Sequence, residues 1–242
     1  LDQQAQARRF LPPALRRVPA AMADRFMSTG QRGRVFLQAL AGDLGASFAQ
    51  VHHYFDATIQ RALLPAVWSR HKHDSPSSNR SELFRSRLEH GLIHGATAAD
   101  FHAYMVDDIL VKVDRASMLT SLEVRAPLLD YHVIEFAFGK VPDSLKMHEG
   151  GRKILLRKLG ERLLPPELNL NRKQGFAFPI ERWFLGQWKD MMHDVLLADS
   201  CLFDPVPVKA LIKGLESGRQ NGRRLFCLLM FELWRRQYEV TL

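Results

Sequence analysis

Apolar side chains recur at three- and four-residue intervals through most of this chain, the spacing of amphipathic helices. Val35, Phe36, Ala39 and Leu40 mark one helix over Gln31 to Ala41. Ser47 reads as the N-cap of a helix running to Phe55, and another spans Leu63 to His71, broken or begun by Pro65. The polar run 71–80 reads as a loop, and the helical period resumes from Ser81 to Ile93. Thr97 and Asp100 have capping spacing and open the next helix. Along it Val106, Ile109, Leu110 and Val113, then Met118, Leu119 and Leu122, form the row expected to face the core. Asp107 and Asp114, seven residues apart, share its outer face. The Arg125-Ala126-Pro127 run stops that helix, because a residue before proline is pushed out of the helical region. Glu123, Arg125 and Asp130 then fall at a helix end and in the loop after it, where side chains can aim at a ligand.

Further on, Asp130 caps a helix from Tyr131 to Phe138, closed by Gly139, and Pro142-Asp143 makes a turn. A basic helix from Arg152 to Leu163 ends at Pro165-Pro166. Lys173 to Phe176 reads as a turn. Pro179 opens a helix through Leu185, Asp190 to Ala198 makes another, Asp204-Pro205 starts one near Val208 to Leu215, and Gly222 leads into the last, ending near Tyr238. Strand patterns are absent, so the fold class is mainly α with a helix bundle at its centre.

Composition narrows this little. With 46% hydrophobic and 25% charged residues in 242, the chain has the profile of a soluble globular protein large enough for one or two domains. No apolar run reaches the roughly 18 residues of a membrane helix, and the start lacks the apolar core of a signal peptide. The first residue is Leu1, so a piece of a longer protein is expected. Cys201 and Cys227 offer neither a disulfide framework nor zinc spacing, which makes a reducing, cytoplasmic setting the default. Ten histidines include His90 and His94 at i, i+4, but without a His-Glu-x-x-His pattern they read as surface groups, and no metal site is expected.

The net charge of +8 favours an anionic partner. Arg152, Lys153, Arg157, Lys158, Arg162, Arg172 and Lys173 gather against only Glu161 and Glu167. A cluster this local suits a polyphosphate better than a nucleic-acid duplex. Gly150-Gly151 before Arg152-Lys153 is a flexible entry to a helix whose first turn has free N–H groups for an anion. Lys153 and Arg157 share a face, with Leu155, Leu156, Leu159 and Leu163 expected to anchor the other. Taken alone, the cluster also fits a solvated basic face.

Two stretches resemble the ATP-dependent synthetase domain of the asparagine synthetase (glutamine-hydrolysing) family. In the first, Asp107, Asp108, Leu110, Lys112, Asp114, Arg115, Ser117 and Met118 are followed by Leu122, Glu123, Arg125, Pro127, Leu129 and Asp130. In the second, Lys153, Leu156 and Arg157 are followed by Arg172, Lys173 and Phe176, and the two lysines stand twenty apart. The resemblance implies that Lys173 and Lys153 reach the ATP phosphates beside Arg157 and Arg172. It also implies that Lys173 stabilises charge as pyrophosphate leaves, and Glu123 is the acid expected near the reacting groups. Asp107, Asp114, Arg115, Arg125 and Asp130 are expected to shape the site or hold the helix end in place.

The family's S-G-G-x-D-S and S-G-E-G-x-D-E loops are absent, as is the glutaminase cysteine. The chain therefore resembles the part of the domain that follows them, closely over about 97–185, with 1–96 undiagnostic and 186–242 a set of C-terminal helices. The implied fold is the helical C-terminal portion of an adenine-nucleotide α-hydrolase-like, PP-loop synthetase domain, with most of the parallel sheet upstream. The implied cofactors are ATP and Mg²⁺, the metal ligands lying upstream. The implied partners are the upstream synthetase and glutaminase portions of the same protein, with aspartate and glutamine as substrates and neither nucleic acid nor membrane. A homodimer is one candidate assembly. The expected reaction is adenylation of a carboxylate, aspartate's β-carboxylate foremost, then amide formation with ammonia. Family relatives also close lactam rings or modify peptides and exopolysaccharide precursors, and the acceptor stays open. This chain alone is expected to lack activity. The alternative is a non-catalytic helical module that binds a nucleotide or another polyanion through the basic cluster.

Overall fold

The computed structural model describes residues 7–8, 10, 12–51, 53–71, 76–148, 151–172 and 178–241. In chain order its first helices are α1 (Pro13–Phe26), α2 (Arg34–Ala39), α3 (Leu44–Val51), α4 (Ala57–Leu63), α5 (Pro65–His71), α6 (Pro76–Ser86) and α7 (Leu92–Asp100). A π-helical segment (Phe101–Leu110) joins α7 to α8 (Val111–Met118), followed by α9 (Tyr131–Gly139) and α10 (Asp143–Lys146). A small hairpin pairs β1 (Met147–His148) antiparallel with β2 (Gly151–Arg152), Met147 facing Arg152. Then come α11 (Ile154–Leu163), α12 (Ile180–Leu185), α13 (Lys189–Leu196), α14 (Pro205–Glu216) and α15 (Gly222–Gln237). Helix dominates as expected; the hairpin corrects the expectation that strands are absent.

The chain forms two compact units, Leu1–Ser78 with Ala177–Leu242, and Asn79–Phe176. In the first, α15 packs against α12, α13 and α14. Its Leu225, Leu228 and Leu229 share one core with Phe184, Met192, Leu196, Leu211 and Leu215, and with Ile59 and Leu63 of α4. Each such side chain contributes about 1.5–3 kcal/mol on burial. Proline and aspartate set the starts: Pro205 begins α14 while the Asp204 carboxylate accepts from the Val206 N–H, as the sequence predicts.

Polar side chains brace the rest of this unit. Arg34 is buried and donates to Asp56 at 2.7 Å, with Asp24 3.4 Å away. The same Asp56 accepts from the Ile59 N–H at 3.0 Å and so caps α4. Ser47 is not an N-cap: it lies inside α3, fully buried, its hydroxyl donating to the carbonyls of Ala39 and Asp43. Asp43 does the capping, accepting from the Ala46 N–H; its carboxylate can take the orphan N–H that a hydroxyl one turn later cannot reach. Glu232, on α15, is fully buried and accepts from Arg235 and Arg236.

The second unit has little interior. Ser81, Phe84, Gly95, Ala98 and Ala99 are buried, and among the described residues from Asp100 to Arg172 none is. Gly95 allows a close approach: a Cβ there would sit 3.1 Å from the Phe84 carbonyl oxygen. The run 76–80, expected as loop, lies in α6; His71 ends α5, and 72–75 lie outside the described residues. Thr97 caps nothing: it sits within α7, its hydroxyl donating to the carbonyls of Ile93 and His94, and α7 continues past Asp100 into the π segment. The long-range partner at the start of α7 is Asp143, whose carboxylate lies 3.4 Å from the His94 N–H.

Candidate functional site

The acid-rich helix is wound in two ways. Phe101–Leu110 follows i→i+5 bonding and Val111–Met118 the α pattern. The wider winding turns each residue through less than the α-helical 100°, so the seven-residue spacing of Asp107 and Asp114 no longer guarantees one face. Among the described residues, the side chains of Asp107, Asp108, Asp114 and Arg115 make no ion pair with one another. The apolar row is exposed where the pattern predicts core: Leu119 is 87% exposed, Leu122 58% and Met118 56%. Among the described residues, no other element of this unit buries these three side chains.

The helix also ends earlier than Pro127 requires. Leu119, Thr120 and Ser121 close it with bonds back to Arg115, Ser117 and Met118, and Ser121 takes the left-handed conformation at φ 55°. This hydrogen-bonded cap competes with further winding before the proline acts. Glu123 and Arg125 therefore lie in irregular chain beyond the helix. The Arg125 guanidinium forms an ion pair with the Glu123 carboxylate. Both are exposed, so the pair holds little energy. Pro127–Leu129 makes a 3₁₀ turn, and the Asp130 carboxylate accepts from the His132 N–H at 2.9 Å, capping α9 as predicted.

The basic cluster is built on the hairpin and α11. Lys153 follows β2 and adopts φ 57°, ψ 42°, a left-handed state that costs a non-glycine residue on the order of 1–3 kcal/mol and concentrates at functional sites. It is held there by two bonds: its N–H donates to the Lys146 carbonyl at 2.7 Å, and its carbonyl accepts from the Arg157 N–H at 2.9 Å. The Lys153 side chain is exposed, as are Arg152, Lys158, Arg162 and Arg172. Arg157 is half-buried, and its Nη1 donates to Asn171 Oδ1 at 2.5 Å. Asn169 Oδ1 in turn accepts from the N–H groups of Asn171 and Arg172. The turn carrying Arg172 is thus tied to the helix that Lys153 starts. Lys173, expected as the principal lysine, and Phe176 lie outside the described residues. The face expected to anchor α11 is open: Leu156 and Leu159 are half-exposed and Leu163 more so.

Asn169 and Asn171 escaped the sequence reading. Their signal was there, in an Asn-x-Asn run after Pro165-Pro166, because asparagine closes turns by bonding backbone N–H groups two or three residues on. The bond from Arg157 had no sequence signal, since it depends on how that turn folds back.

A cleft of about 510 Å³ in the same unit is lined by Arg87, His90, His94, Phe138, Lys140 and Asp143. Burial, with Lys146 and His90 nearby, pushes the His94 pKa below the usual histidine value. Burial raises the pKa of Cys201 and of Cys227, which leaves both thiols poor nucleophiles. Among the described residues no group of three or more His, Cys, Asp or Glu side chains is placed to hold a metal ion, and no helix is long and apolar enough to cross a membrane.

The family model for asparagine synthase matches residues 5–236. Asparagine synthetase (glutamine-hydrolysing) 1 of Bacillus subtilis (strain 168) is 27% identical over 215 residues, covering 86% of this chain and 33% of its own length. A Mycobacterium bovis protein provisionally given the same enzyme name is 26% identical over 235 residues, 93% of this chain and 34% of its own. Asparagine synthetase (glutamine-hydrolysing) 3 of Bacillus subtilis is 34% identical over 73 residues, 30% of this chain. The chain thus spans about a third of the length of the first two relatives. No solved structure matches it. With nearly every residue inside the matched region, and the acid-rich helix and the basic turn both within it, the chain belongs to the asparagine synthase family.

Proposed function

We propose that this chain supplies the phosphate-handling wall of an ATP-dependent, glutamine-dependent amidotransferase. In the first step a substrate carboxylate oxygen attacks the α-phosphorus of ATP, the bond to the β-phosphate oxygen breaks, and pyrophosphate leaves. In the second, ammonia released from glutamine attacks the acyl carbon, AMP departs with the bonding pair, and a proton is lost to give the amide. Negative charge builds on the leaving pyrophosphate, and cations placed beforehand lower that barrier. Lys153, Arg172 and Lys173 take this role, with Arg157 on the same helix. Lysine suits it because its ammonium is a compact charge on a stem that can follow the departing group. Glu123 is placed near the reacting groups, and Asp107, Asp114, Arg115, Arg125 and Asp130 shape or support the site. The acceptor foremost is aspartate. Mg²⁺, when bound, would neutralise phosphate charge; among the described residues no cluster of acidic, His or Cys side chains fits it.

The observation that carries this reading is Lys153. A strained lysine at a hairpin–helix junction, on the helix to which the Arg172 turn is bonded, is better explained by a ligand than by stability. The open apolar row from Met118 to Leu122 supports a second point. The upstream synthetase portion of the same protein covers it, and the glutaminase portion feeds the site.

The test is ATP–pyrophosphate exchange by the full-length protein with aspartate and Mg²⁺, beside this 242-residue chain. Exchange by the full-length protein alone is expected, and its Lys173→Ala variant should lose it. Exchange that survives Lys173→Ala removes the role given to that lysine. Polyphosphate binding that weakens steeply with salt in the absence of exchange favours a polyanion-binding module instead.

A further inference from the structure

We infer that Asn171, clamped by Arg157 and seated through Gly160, is a positioning residue that holds the Arg172 turn on α11. This rests on the adenylating reading above, and it adds residues which that reading does not use. Four contacts meet at this turn. Arg157 Nη1 donates to Asn171 Oδ1 at 2.5 Å. Asn169 Oδ1 accepts from the Asn171 N–H at 3.0 Å and from the Arg172 N–H at 3.2 Å, closing the turn on itself. Leu170, half-buried, lies over Gly160, where a Cβ would come within 3.1 Å of Leu170 Cδ1.

These contacts fix the turn from both sides. Gly160 leaves room for Leu170 one turn below Arg157, and the guanidinium reaches across to the next residue, Asn171. A glycine inside an exposed helix costs about 1 kcal/mol against alanine, and its gain here is the close seat for Leu170. The bond from Arg157 joins a charged donor to a neutral acceptor, the stronger class of side-chain contact. Since Lys153 begins the same helix, one rigid element sets the backbone of both basic segments. A guanidinium directed to Asn171 acts through the turn; it is not simply one more phosphate ligand.

The expected consequence is a fall in kcat without a matching rise in KM for ATP, because a misplaced cation weakens the transition state more than the bound nucleotide. A displacement near 1 Å costs on the order of 100-fold. The experiment uses the full-length protein and two readouts. In Asn171→Ala, hydrogen exchange of the peptide spanning 169–172 should quicken about tenfold, and kcat for ATP–pyrophosphate exchange should fall about 30- to 100-fold with KM within about twofold. Asn171→Asp keeps an acceptor for Arg157 and should restore both. The double variant Arg157→Ala/Asn171→Ala should be no worse than the weaker single one, since both remove one contact. Unchanged hydrogen exchange in Asn171→Ala overturns the clamp. Quickened exchange with unchanged kcat overturns its positioning role, and additive effects of the two substitutions assign Arg157 to the nucleotide instead. A wild-type protein that shows no pyrophosphate exchange at all defeats the adenylating reading and the catalytic half of this inference. The hydrogen-exchange readout still judges the clamp by itself.

Discussion

Glu232 offers the sharpest test of the packing. Its side chain is fully buried, and its carboxylate receives Arg235 Nε at 2.9 Å, Arg235 Nη2 at 2.7 Å and Arg236 Nε at 2.8 Å, with the Leu202 N–H 3.4 Å away. Burial alone would push this carboxyl up, but the hydrogen bonds from Arg235 and Arg236, helped by Leu202, outweigh it and hold the pKa below the usual value. Glu232→Gln keeps the volume but turns one accepting oxygen into a donor that faces a guanidinium. Breaking a buried ion pair costs about 3–5 kcal/mol. Both arginines keep some access to water, which places the loss at the low end, about 3 kcal/mol. For a unit of this size that lowers Tm by about 6–12 °C. The assay is thermal unfolding followed by tryptophan fluorescence, because Trp68, Trp183, Trp188 and Trp234 all lie in the unit that holds Glu232. The loss should also depend on pH. The folded pKa is depressed, so the stabilisation is fully present above the unfolded value of about 4.3. It disappears as pH falls through the lower folded value. A Tm change under about 2 °C at neutral pH, or a difference that grows on acidification, would refute this account.

Asp56→Ala removes both a partner of the buried Arg34 and the cap of α4; the same fluorescence assay should show a loss of about 3–4 kcal/mol. Lys153→Gly relieves a left-handed backbone and removes the charge proposed to face the phosphates. The variant should unfold no earlier than wild type while pyrophosphate exchange falls at least about tenfold, whereas Lys153→Val should lose stability as well. Glu123→Gln breaks an exposed pair, so stability should change by less than about 0.5 kcal/mol. A fall in pyrophosphate exchange in that variant, with an unchanged Tm, is expected from the place proposed for Glu123.

Local chemistry was readable wherever it decided the structure by itself. Asp130 and Asp204 each bond an N–H two residues on, a contact that sequence spacing alone specifies. Thr97 and Ser47 misled because a hydroxyl can instead bond a carbonyl one turn back, Ile93 and Asp43 here. The apolar row was legible as helical from Val106 to Met118, but not in its early end before Leu119 and Leu122, nor as exposed, since periodicity tells which face is apolar and not what covers it. In the candidate site, the basic residues stood out by composition. The left-handed Lys153 and the reach of Arg157 to Asn171 did not, because both depend on how the hairpin and the turn fold back onto α11.

Ile59 and Leu63 lie in the same core as Leu225 and Leu229, yet the whole of Asn79–Phe176 separates them along the chain. At a ribosomal rate of roughly 5–20 residues per second, that inserted stretch takes about 5–20 s to emerge. For that interval α4 has left the ribosome while the helices it packs against have not been made. The earlier segment must wait with its apolar side uncovered, a state that chaperones recognise and aggregation exploits. A premature stop after Phe176 would leave the intervening unit intact in sequence but strand the first 78 residues without the core that α12 to α15 provide.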